Sequence, residues 1–143
     1  MRILNILACL AVATVSLIAF LLWAMFSDQP SFTSGLSTYG DLPEAATDIA
    51  VYKNTNLSGL RLMEFTIPER DFRSYAESQG WKMDALSGPQ LIISATEFYN
   101  KRIDYYREVS DGLFFEDRRP NGGGVTVVFD RQKQLAYVNR SSR

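Results

Sequence analysis

From Ile3 to Phe26 the chain runs for 24 residues without a charge, and 21 of them are apolar. Only Asn5, Thr14 and Ser16 interrupt the run. A helix of that length rises about 36 Å, enough to cross a bilayer core of about 30 Å with some tilt. The remainder is a different object. Residues 27–143 hold 44 apolar residues in 117, about 38%, so the overall 46% averages a lipid-soluble segment with a chain of ordinary hydropathy. The predicted organisation is an anchor over 1–27, a juxtamembrane linker over 28–47 and an α+β domain over 48–143. Residues 3–26 meet the lipid bilayer.

A cleaved signal peptide is the competing reading. Its apolar core would span about 7–15 residues and end in a small-x-small site. This core is longer, and Phe26 occupies a position where a small residue belongs. Ser31-Phe32-Thr33 is a weak match for a cut further on. The uncleaved anchor is therefore the expectation. Arg2 precedes the run and Asp28 follows it. The positive-inside rule then puts the N-terminus in the cytoplasm and the domain outside the cytoplasmic membrane. Trp23 fits an interfacial aromatic at the outer end. Cys9 follows Leu7-Ala8 as in a lipobox, but most of the apolar core comes after it, so it reads as a small hydrophobe in the helix.

The linker is rich in Ser, Thr, Gly and Pro and is expected to have little structure of its own. Beyond it, two strands are predicted at about 48–53 and 59–66, joined by the turn residues Asn54 to Gly59. Thr66 and Glu69 have capping-box spacing, and Pro68 suits a first turn, so a helix should follow and end at Gly80. Trp81 should then fold back onto the core. Over 94–109 the pattern favours a helix. Ser94 and Glu97 repeat the capping spacing, and Tyr99, Ile103 and Tyr106 recur at i, i+4, i+7. The many β-branched and aromatic residues leave an extended segment followed by a loop as the alternative.

The last third reads as a three-stranded meander with strands over 113–119, 125–130 and 134–139. Together these elements predict a small antiparallel sheet of about five strands with one or two helices packed on one face.

Catalytic chemistry finds little support. With no histidine there is no Ser-His-Asp triad, no Cys-His dyad and no His-ligated zinc. No nucleophile elbow or phosphate loop occurs, and Ser-x-x-Lys is missing. No cofactor motif or metal-ligand spacing stands out. Glu116 and Asp117 neighbour each other on a strand, so they point to opposite faces. Gly122-Gly123-Gly124 leads from strand to strand, which marks a hairpin tip and not a phosphate cradle. Fifteen basic residues against sixteen acidic give a net charge of −1, and nothing points to nucleic acid. Arg118-Arg119, Lys101-Arg102 and Arg107 suggest a basic patch facing anionic lipid or a wall polymer. Asp104, Glu108, Glu116 and Asp117 interleave with them, so the reading is a mixed solvated surface. Two Asn-x-Ser triplets, at Asn56 and Asn139, matter only in a eukaryotic secretory pathway. The aromatics read mainly as core filling. Phe114 and Phe115 point to opposite faces of one strand, so one of them is the candidate partner surface.

The segments Asp111-Gly112-Leu113-Phe114-Phe115-Glu116, Asn121 to Val125, Phe129-Asp130-Arg131 and Ala136-Tyr137 resemble a recurring ending in small bacterial membrane-anchored envelope proteins. Leu42 to Ile49 is similar to the way their soluble domain opens. About 40 of 143 residues carry this resemblance, all of them turn and strand chemistry. It implies an α+β domain held at the membrane, and no activity.

The expectation is thus a non-catalytic single-pass protein whose outer domain binds an unknown envelope protein or polymer, or serves a structural role. The alternative is a small envelope enzyme that uses carboxylates on cell-wall glycans. A cysteine-free outer domain has no disulfide to hold it, so its own core must do so.

Overall fold

The computed structural model describes residues 13–23, 30–55, 59–100, 104–120 and 122–142. Residues 13–23 form a helix, α1, within the apolar run. Val15, Leu17, Ile18, Phe20, Leu21, Leu22 and Trp23 are all exposed on it. No helix among the described residues is long and apolar enough to cross a membrane. The rest of the predicted span, 3–12 and 24–26, lies outside the described residues.

The remaining chain is an α+β fold around a large antiparallel sheet. In chain order the elements are β1 (Ser31–Leu36), β2 (Thr47–Asn54), β3 (Leu60–Thr66), α2 (Glu69–Ser78), β4 (Asp84–Ala85), β5 (Gln90–Ile93), α3 (Ala95–Tyr99), β6 (Tyr106–Val109), β7 (Gly112–Arg118), β8 (Gly124–Asp130) and β9 (Leu135–Ser141). Seven strands lie in the order β1-β2-β3-β9-β8-β7-β4, and β5 pairs with β6 in a separate ribbon. The predicted meander is β7-β8-β9. Its last strand closes against β3, with Arg61 opposite Arg140 and Phe65 opposite Ala136.

The large sheet has two strands beyond the expected five, and the β5-β6 ribbon adds two more. β1 lies inside the stretch read as a linker. Its sequence, Ser-Phe-Thr-Ser-Gly-Leu, has only two large apolar residues, because an edge strand with a bulge needs few. β4 is two residues long and leaves no periodic signal.

Both faces of the sheet are covered, which corrects the expectation of helices on one face. On the first face, Phe72, Tyr75 and Ala76 of α2 pack onto Ile49, Val51, Met63, Phe65, Val127, Phe129 and Val138. Phe72 stacks on Phe129 at 4.7 Å between ring centres. On the second face, Ile92 and Val109 of the ribbon cover Val128 and Tyr137. There, too, Ala95 of α3 covers Tyr52 and Leu62. With both faces buried, strands such as Leu60–Thr66 lose the simple alternation of apolar and polar residues. Over 94–109 neither predicted alternative holds as a whole. A short helix capped by Ser94, whose hydroxyl accepts from the Glu97 N–H, is followed by a strand.

The helix α2 begins differently from the prediction. Thr66 is still in β3, opposite Leu135, and lies two residues before the N-cap. Pro68 occupies the N-cap without a side-chain bond. The cap comes instead from Gln134, 65 residues away, whose Oε1 accepts the Glu69 N–H at 3.0 Å. Gly80 ends the helix as predicted, at φ 74°. The Trp81 N–H reaches the Ala76 carbonyl and the Gly80 N–H the Glu77 carbonyl, the paired bonds of a Schellman motif. Trp81 is buried against Tyr75 and Phe115.

Candidate functional site

One end of the sheet gathers unpaired charge. The strand register places Ser31, Lys53, Arg61, Arg140, Val125 and Asp117 in a single row across six neighbouring strands. Side chains alternate along a strand, so the last five of these share the face that carries Val51, Met63, Val138 and Val127 one pleat further in. Three cations therefore stand side by side. Directly opposed residues have Cβ atoms about 5 Å apart, and like charges at that spacing are destabilising.

The neighbours relieve this only in part. The Lys53 ammonium sits 5.2 Å from the centre of the Tyr39 ring. The Arg140 guanidinium lies over Trp81 at 5.4 Å and donates to Gln79 Oε1 at 3.2 Å. Gln79 in turn donates to Asp41 Oδ2 at 2.8 Å, so Asp41 reaches Arg140 through an amide. The Arg140 Nε is buried and has no hydrogen-bond partner among the described residues. Arg61 is exposed and forms no ion pair among them. A cavity of about 250 Å³ opens here, lined by Gly59, Arg61, Asp117, Arg119, Arg140 and Ser142. The hairpin that brings Arg119 to it depends on Gly124, at φ 153°. A Cβ there would fall on the Asp117 carbonyl oxygen.

On the opposite face of the same end lies a groove of about 340 Å³. Leu62, Ile92, Tyr106, Thr126 and Asn139 are among its lining residues. Two cations line it: Arg118, which donates to Glu116 at 2.6 Å, and Arg140, whose side chain reaches Gln79 and Trp81. Thr126 donates to the same Glu116 carboxylate oxygen at 3.2 Å. Leu91 and Tyr106 stand exposed nearby.

Other charged groups have structural tasks. The Asp130 carboxylate accepts the Gln132 and Lys133 N–H groups and closes the β8–β9 turn. Arg131 bridges Glu69 at 3.0 Å and Asp111 at 2.9 Å. Burial pushes the Glu69 carboxyl up, but hydrogen bonds from Arg73 and Arg131, with their charges, outweigh it and hold it below the usual value. Burial pushes the Tyr75 hydroxyl up to about 12, helped by Asp41 and opposed by Arg140. Burial does the same for Tyr137, also to about 12, with Glu64 and Asp130 adding and Arg107 opposing.

The residues singled out in the sequence fall in several places. Glu116 and Asp117 belong to opposite faces. Arg118 and Arg107 are paired, the latter with Glu97, while Lys101 and Arg102 lie outside the described residues. Of that group only Arg119 joins the cationic end. Phe115 packs half-buried beside Trp81 on the first face, and Phe114 half-buried beside the Tyr137 cluster on the second. The two do not form one surface. Among the described residues no group of three or more Cys, Asp or Glu side chains could hold a metal ion. Sequence reading missed Lys53, Arg61 and Arg140 as a group. They are far apart in the chain, and only the pairing register aligns them.

The chain matches no known family model, and comparison with curated proteins and with solved structures gives no match. The resemblance to small envelope proteins therefore rests on the turn and strand residues quoted for it.

Proposed function

We propose that the chain is a single-pass protein of the cytoplasmic membrane. Its N-terminus lies inside, and it presents a small non-catalytic binding or structural domain outside. The observation that carries this reading is the helix at 13–23, whose large apolar side chains are exposed all round. A helix apolar on every side needs a buried or lipid setting. Moving each large side chain out of water is worth about 1.5–3 kcal/mol. The helix lies inside a longer run without charge, and Arg2 and Asp28 flank that run with the sign order of an inside-to-outside span. The partner is an envelope protein or polymer met by the outer domain.

A periplasm-active reporter enzyme fused after Arg143 tests the topology, alongside a cytoplasm-active one. Activity from the first alone is expected. Activity only from the second would overturn the placement.

A further inference from the structure

The cationic end of the sheet is also the end at which the chain arrives from the apolar segment. Ser31, the first residue of β1, stands in the same row as Lys53, Arg61 and Arg140. The eight steps from Trp23 to Ser31 reach at most about 29 Å when fully extended. The hairpin tip carrying Arg119 and the residues after β9 lie at this end too. The far end of the domain neutralises its cations, with Arg131 on Glu69 and Asp111, and Lys133 on Asp130. The near end leaves Arg61 and Arg119 without carboxylate partners among the described residues and gives Arg140 only an amide and a ring.

We propose that this end binds the phosphate of an anionic phospholipid headgroup, seated between Arg61 and Arg140 with Arg119 across the cavity. The inference rests on the tether reading and deepens it by naming the partner of this surface. Guanidinium groups hold phosphate through charge-assisted, often paired hydrogen bonds. An oxyanion between two opposed arginines turns their mutual repulsion into attraction. Juxtamembrane cations gain further from the negative surface potential of an anionic leaflet. Asp117, in the same row beyond Val125, sets the far limit of the site. The domain then rests with its cationic end on the bilayer from which its own chain emerges.

Native mass spectrometry of the full-length protein in detergent, supplied with phosphatidylglycerol or phosphatidylcholine, tests this. Preferential retention of phosphatidylglycerol is expected. The doubly substituted R61Q/R119Q protein should lose most of that preference, since two of the three guanidinium groups that would hold the phosphate are gone. Both side chains are exposed, so the thermal unfolding of the variant should match the parent. Equal retention of the two lipids, or a preference that survives R61Q/R119Q, would overturn the proposal while leaving the tether intact. Loss of the preference in millimolar inorganic phosphate would assign the site to a free oxyanion and overturn the lipid assignment. Retention of neither lipid would also overturn the proposal, and the reporter fusion, which reads the span by itself, tells whether the tether fails with it.

Discussion

Glu64 on β3 accepts the Ser94 hydroxyl at 2.7 Å, across 30 residues of sequence. The same carboxylate accepts the Ala95 N–H at 3.1 Å and the Thr96 hydroxyl. One half-buried acid thus holds the start of α3 against the sheet, and with it the layer covering the second face. Replacing Glu64 by Ala strips three donors of a charged acceptor. The expected loss is about 3 kcal/mol, since hydrogen bonds to charged groups exceed neutral ones and the freed donors stay desolvated. Urea unfolding should show the loss. Hydrogen exchange should show it concentrated in β5, α3 and β6, and an even loss over the whole domain would contradict the assignment.

Gln134 ties the β8–β9 turn to the start of α2. Its Oε1 accepts from the Glu69 N–H, and its Nε2 donates to the Arg131 carbonyl at 2.9 Å. Gln134→Ala should cost about 1 kcal/mol, the usual scale of a lost N-cap. Thr66→Ala should not remove a cap, because Thr66 supplies none. Comparing the two unfolding midpoints separates the observed cap from the capping box that the sequence suggests.

Gly80 at φ 74° has open space where a Cβ would stand. Gly80→Ala should therefore cost about 1 kcal/mol through backbone strain alone. Gly80→Asn should cost less, because Asn tolerates the left-handed region. A Gly80→Ala protein as stable as the parent would show that Trp81 is held without the Schellman turn.

The Tyr75 hydroxyl is buried and has no hydrogen-bond partner among the described residues. Tyr75→Phe should leave stability at neutral pH unchanged or raise it by up to about 1 kcal/mol. The pH dependence follows in sign. In the folded chain burial, and then the Asp41 charge, raise this hydroxyl from 10.0 to about 12. The unfolded chain ionises first, so the contribution is complete below pH 10 and falls away as pH rises toward 12. Tyr137 acts in the same direction. Unfolding measured across that range should decline less steeply in Tyr75→Phe than in the parent. Identical slopes would place Tyr75 in contact with water.

The meander was legible because each of its strands is bounded by turn residues and its middle strand, β8, is dense in valine and phenylalanine. Gly80 and Trp81 were legible because a left-handed stop and a following aromatic are local chemistry. β1 was not, since an edge strand made of Ser31 to Leu36 looks like a linker until β2 is beside it. Thr66 was misread because its spacing to Glu69 is local, while the bond that recruits it, to β9, is not. The cationic row was invisible for the same reason. Arg61 and Arg140 become neighbours only when the chain's last strand pairs with β3.

On the proposed reading the apolar segment holds this chain in a bilayer. Alkaline carbonate extraction of membranes containing the full-length protein tests this. An integral span stays with the lipid pellet when carbonate strips peripheral proteins, and that is the predicted result. Quantitative release into the supernatant would contradict it.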